Sequence, residues 1–248
     1  MGFIAACFLL AIAPCVGVSA AAPSDSLWLK AVGIYERNAL WIPGLTVMSF
    51  ELLDDKGERK ESQETWYRLA QDPQGYTLLE VEKSVKNGND VTQADRDAQR
   101  KRNEKAKKEG APAQFPMSMA DSPFDPLVQE SLTISRKSEE RVMDGVRCAA
   151  YDFTLKKKDG ASVRGTAWIE GASGTPVEAG YTFAPLPTGV TRMNITLRYA
   201  NGPQGPGFLK EVRIEGSGGF LFIRRNFRFS LVLSEYRLRP VTSRPGKE

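Results

Sequence analysis

The sequence predicts a mainly β (α+β) protein: one curved antiparallel sheet of about eleven strands, a short helix before it and a charged helical insertion within it. Three observations carry this. From Thr46 onward apolar residues recur at every second position, the runs are separated by joints rich in Gly, Asp, Asn and Pro, and only two stretches break the period. Short joints place sequence neighbours side by side, which makes the sheet antiparallel. A sheet that wide curls instead of lying flat.

The elements follow in order. Phe3 to Val18 is a nearly unbroken apolar stretch ending in Ser19-Ala20-Ala21-Ala22, small residues suited to a signal-peptidase site, so residues 1–20 are expected to be a secretory leader and 21–248 a single domain. The leader would carry Cys7 and Cys15 away with it. Pro14 before Cys15 argues against lipid anchoring there, and the mature chain keeps only Cys148, too few for an internal disulfide. Secretion into a periplasm is the expected localisation. Residues 26–38 place apolar groups at 27, 28, 31, 32, 34 and 35, close to helical spacing, behind a Ser24/Asp25/Ser26 cluster able to cap a helix.

A meander of strands follows: Met48, Phe50 and Leu52 alternate with polar residues, Asp54-Asp55-Lys56-Gly57 turns the chain, and Thr65–Ala70 and Tyr76–Val81 continue it. Residues 86–110 interrupt with charge and almost nothing apolar. Thr92 followed by Asp95 resembles a helix start, and Ala98 to Lys108 is rich in helix formers. The expectation is a solvated helix, with a basic arm toward a membrane or acidic partner as the alternative. A proline-rich loop closes the insertion, which spans 86–125 in all. Eight further strands are expected at 131–137, 147–155, 163–170, 177–183, 190–199, 209–215, 220–225 and 227–236, the joint Ser217-Gly218-Gly219 among their turns.

Much chemistry is absent. The chain has no histidine, which removes the commonest general base and metal ligand, and neither a cofactor nor a metal is expected. Cys148 lies mid-strand without the usual base. The acids fall mostly at turns, Gly216-Ser217-Gly218-Gly219 precedes no helix and makes no phosphate cradle, and 34 Lys and Arg against 30 Asp and Glu is too mild a balance for nucleic acid. The reading is therefore non-enzymatic. An apolar face that wide must be buried against something, and a curved sheet under a small lid leaves an apolar cavity suited to a lipid or acyl chain. The candidate wall consists of Met48, Phe50, Leu52, Trp66, Tyr151, Phe153, Trp168, Tyr181, Phe183, Met193, Ile195, Leu197, Phe222, Phe227 and Phe229, chosen by apolarity on alternating strands. Arg164, Thr166 and Glu170 share the side of Trp168, which places that indole at the mouth of the cavity or outside it.

The order of elements, and the hairpin running from Ala167-Trp168-Ile169 through Gly174-Thr175-Pro176, resemble the LolA/LolB-like superfamily of bacterial periplasmic lipoprotein-sorting proteins. The resemblance implies an unclosed β-barrel around a helical lid, holding the acyl chains of lipoproteins bound for the outer membrane, with an arginine that latches the lid. Arg68, Arg164 and Arg192 are the strand candidates for that role. The expected partners are lipid or lipoprotein acyl chains, no nucleic acid, and a monomeric chain. The alternative is an envelope sensor of RseB type that binds a protein segment, including one on a membrane-anchored protein, through the insertion.

Overall fold

The computed structural model describes residues 25–72, 76–109, 122–157, 160–220 and 223–239; the expected leader 1–20, Phe222 and most of the proline-rich loop lie outside them. In chain order these form α1 (Ser26–Asn38), β1 (Trp41–Ile42), β2 (Leu45–Leu53), β3 (Arg59–Gln71), β4 (Thr77–Lys86), β5 (Asn89–Asp90) and α2 (Thr92–Lys108). A 3-10 turn (Pro126–Ser131) leads to β6 (Leu132–Met143), β7 (Val146–Lys156), β8 (Ser162–Glu170), β9 (Pro176–Ala184), β10 (Val190–Gly202), β11 (Gly205–Phe220), β12 (Ile223–Ser234) and β13 (Arg237–Leu238).

Eleven strands make one antiparallel sheet in the order β5-β4-β3-β2-β12-β11-β10-β9-β8-β7-β6, and β1 pairs with β13 apart from it. Every neighbour in the large sheet is joined by a hairpin or short loop except β2 and β12, where the block β2–β5 meets the block β6–β12. Its ends, β5 with β4 and β6, do not pair with each other: the sheet is unclosed.

Alternation sets two faces. Pairing carries transverse rows across the inner face, one running Phe50, Phe229, Ile214, Ile195, Tyr181, Gly165, Phe153, Ile134 and the next Met48, Leu231, Val212, Leu197, Ala179, Ala167, Tyr151. Helix α1 lies over this face. Asp25 caps it, its carboxylate accepting from the Leu27 and Trp28 N–H groups, and its buried side is Leu27, Trp28, Ala31 and Ile34. Trp28 is fully buried against the rings of Phe124 and Tyr151, and its indole N–H donates to Gln129 at 2.9 Å. Phe124 reaches the core from a loop with no periodicity. It is wedged between Trp28 and Tyr199, and Ser122 shares a hydrogen bond with the Tyr199 hydroxyl.

Two expectations need correction. The Ser217-Gly218-Gly219 turn and the separate strand at 220–225 give way to one long β11, which runs through those residues and turns after Phe220. Its glycines are spacers. A Cβ on Gly216 would stand 2.3 Å from the Phe227 ring, and one on Gly218 would stand 2.4 Å from the Gly189 carbonyl. The insertion helix is the second. Most of its side chains stand in solvent as expected, but α2 also packs back along β4, whose outer edge no strand among the described residues covers beyond the two residues of β5. Asn87-Gly88, with φ of 51° and 82°, is the tight turn that starts this return.

Candidate functional site

The expected wall residues divide into four groups. Tyr151, Phe153, Tyr181, Ile195, Leu197 and Phe229 lie on the inner face and are buried, packed with one another and with α1 in the main core. Met48, Phe50, Phe183 and Met193 share that face and pack against the same core while staying half-buried, and Leu52 and Phe227 are also half-buried, paired across β2 and β12. Trp66 and Trp168 lie on the outer face. Phe222 is outside the described residues.

The two tryptophans show how alternation decides a face by the sum of its residues. In β3 the set Thr65, Tyr67 and Leu69 outweighs Trp66, Arg68 and Ala70, so the inner face takes Tyr67 and Leu69, and Trp66 sits outside under the Lys83 ammonium, 5.0 Å from its ring centre. In β8 the set Val163, Gly165, Ala167 and Ile169 faces the core. Trp168 packs outside with Cys148 and Ala150, covered by the Arg141 guanidinium at 4.7 Å. The sequence reading missed Trp28, Phe124 and Tyr199, whose contribution comes from a helix, a loop and the end of a strand.

What remains accessible on the inner face is a strip at the end of the sheet farther from α1. Leu52 pairs with Phe227, Phe227 with Gly216, and Gly216 with Met193; Phe183 follows, as Met193 and Phe183 each stand two residues beyond the Ile195–Tyr181 pair. Phe50 and Ile214 back the strip one row deeper, also half-buried. The strip is continuous because Gly216 leaves room for the Phe227 ring to lie across the neighbouring strand. An aromatic ladder leads inward from it, with Phe183 edge-on to Tyr181 and Tyr181 edge-on to Phe153, each at 6.2 Å, and Lys157 Nζ caps the outer ring at 5.1 Å.

The other end of the inner face is closed by polar chemistry as well as packing. The Tyr151 hydroxyl donates to the Asp25 carboxylate at 2.8 Å, tying β7 to the cap of α1. Burial alone would raise the Asp25 carboxyl, but the Tyr151 hydroxyl, the Trp28 and Leu27 N–H groups and the Arg136 charge outweigh it and hold the group below its ordinary value. Burial, with the carboxylate beside it, pushes the Tyr151 phenol up to about 12. Arg136, on β6, lies over the Tyr151 ring at 5.8 Å. Arg68 pairs instead with Glu82 and Glu235 on the outer face, and Arg164 and Arg192 are exposed opposite outward residues.

No helix among the described residues is long and apolar enough to cross a membrane. Among them no group of three or more acidic or cysteine side chains is placed to hold a metal ion. No protein-family model matches the sequence, and no curated protein does. The structure is similar to a domain described as an outer membrane lipoprotein-sorting protein from Vibrio parahaemolyticus, with a TM-score of 0.40 and 12% identity over 86% of this chain and 94% of that one. A LolA superfamily protein from Nitrosomonas europaea is similar with a TM-score of 0.37, at 12% identity over 87% of this chain and 93% of that one. The Pseudomonas aeruginosa MucA/MucB complex gives a TM-score of 0.25 at 11% identity, over 86% and 98%. At such identities the likeness is one of fold.

Proposed function

We propose that the protein is a periplasmic, non-enzymatic carrier or binding protein for acyl chains, those of a lipoprotein or of another lipid, and that the chain lies along the strip from Leu52 through Phe227 and Met193 to Phe183. The observation that supports this is the continuity of that strip: large apolar side chains left half-buried side by side on four strands, in a protein whose remaining inner face is packed. Each 100 Å² of apolar surface a ligand covers there contributes about 2.5 kcal/mol. Helix α1 and the Phe124 wedge keep the deeper rows closed, so the ligand is bound at the open end of the sheet.

The test is uptake of a fluorescent fatty acid by the purified mature chain and by Met193→Glu. The account expects saturable binding that the added charge weakens at least tenfold. No binding by either protein, or equal binding by both, contradicts it.

A further inference from the structure

The acyl strip makes no use of α2. That helix faces β4 with hydrogen-bonding side chains, acceptors as well as donors, in place of apolar groups. Ser84 N–H is accepted by the Thr92 hydroxyl at 2.9 Å. Arg96 donates to the carbonyls of Val81 and Glu82, both at 2.8 Å, and the Asn103 amide donates to the Leu79 carbonyl at 2.8 Å. Thr92, Arg96 and Asn103 lie on one helical stripe, and Glu82 is the extra residue of a bulge, since Trp66 pairs with Lys83 and Tyr67 with Val81. The Leu79 and Val81 carbonyls stand two residues apart on an edge that no strand among the described residues covers there. The N–H groups of a pairing strand arrive at that spacing.

An open groove of 560 Å³ separates the two elements, with Leu78, Leu79 and Val81 on its strand side and Arg96, Asn103 and Lys107 on its helix side. The helix is held across it by polar side chains, and Gln99 is the one α2 residue that is buried. Swinging α2 outward leaves the main core in place; the apolar surface beside it is the small cluster of Tyr67, Leu69, Leu79 and Val81. The charges lining it nearly balance, with Asp72, Glu80, Glu82 and Glu104 against Arg96, Arg100 and Lys107, and two of the acids are paired, Glu82 to Arg68 and Asp72 to Lys107.

We propose that this groove is a strand-addition site for an extended, uncharged segment of a partner polypeptide, read mainly through its backbone. The N–H groups of the guest take the Leu79 and Val81 carbonyls from Asn103 and Arg96, and its apolar side chains cover Leu78 and Val81. Asn103 and Arg96 act as placeholders that keep the edge satisfied until the guest arrives. This goes beyond acyl binding and does not depend on it.

The experiment uses the full mature chain and a fluorescein-labelled peptide alternating threonine and valine, read by anisotropy, with two control peptides N-methylated at one or the other alternate set of amides. The expected result is saturable binding abolished by one methylation pattern only, tightened several-fold by Asn103→Ala, and accompanied by slower amide exchange at Leu79. Asn103→Asp, which removes the same donor at constant size, is expected to tighten binding likewise if the alanine variant does not fold. Absence of binding to wild type and variants overturns the proposal, as does equal binding of both methylated peptides or unchanged exchange at Leu79. Fatty-acid uptake measured on the same samples separates this outcome from failure of the carrier reading.

Discussion

Asp25 is the residue on which the lid's attachment turns, since one carboxylate caps α1 and accepts the Tyr151 hydroxyl. Its lowered pKa means that its contribution to stability is complete above the ordinary carboxylate value of 3.8 and is lost as pH falls through the lower folded value. Asp25→Ala is expected to cost about 1–2 kcal/mol at neutral pH, as the loss of an N-cap does. It should also flatten the acid limb of a plot of thermal midpoint against pH; an unchanged limb would place the acid sensitivity elsewhere. Gly216 acts through what it leaves out. Gly216→Ala drives a methyl into the Phe227 ring and the Arg192 carbonyl, which a Cβ would meet at 2.3 and 2.7 Å, so the ring must leave its place across β11. Overpacking of this kind costs about 1–3 kcal/mol, and fatty-acid uptake should fall with it. Trp168→Ala removes an indole from the outer face and should leave uptake unchanged while lowering the thermal midpoint; reduced uptake would argue against the facing derived from β8.

At the scale of elements, hairpin spacing and alternation made most of the sheet legible: α1 begins and ends where helical spacing put it, and each strand from β6 to β10 overlaps its expected run. Alternation also puts Phe227, Phe229, Leu231 and Leu233 on one face of β12 and Arg228 and Ser230 on the other. It failed where another signal prevailed. Glycines read as a turn proved to be spacers under an aromatic ring. The Asn87-Gly88 turn was hidden by the charge run around it, and α2 could not be placed by apolar period because donors anchor it. A search for Ser, Thr, Asn and Arg at helical spacing beside an edge strand would have found its docking face. Phe124 was illegible for a different reason, being a lone anchor in a loop whose place depends on Trp28 and Tyr199. Replacing α2 with a Gly-Ser linker is expected to leave the β4 edge unpaired and to produce dimers or larger species by light scattering. A monomer of wild-type stability would mean that the edge needs no guard.

For the whole molecule, the central point is that the sheet stays open and spends its inner face unequally. One end is filled by α1, Phe124 and the ties from Asp25 to Tyr151 and from Ser122 to Tyr199; the other leaves large apolar side chains half-buried on β2, β12, β10 and β9. The free edges are managed separately, β4 by α2 and β6 by its run of Arg136, Lys137, Glu139, Glu140 and Arg141, all exposed. On the proposed function, this division lets the open end take a ligand without asking the core to come apart. Native mass spectrometry of the protein purified from a periplasm tests it most directly. Bound species with the mass of acyl-chain lipids are expected on the wild type and on Trp168→Ala, and none on Met193→Glu. A protein that emerges empty and takes up no fatty-acid probe would contradict it.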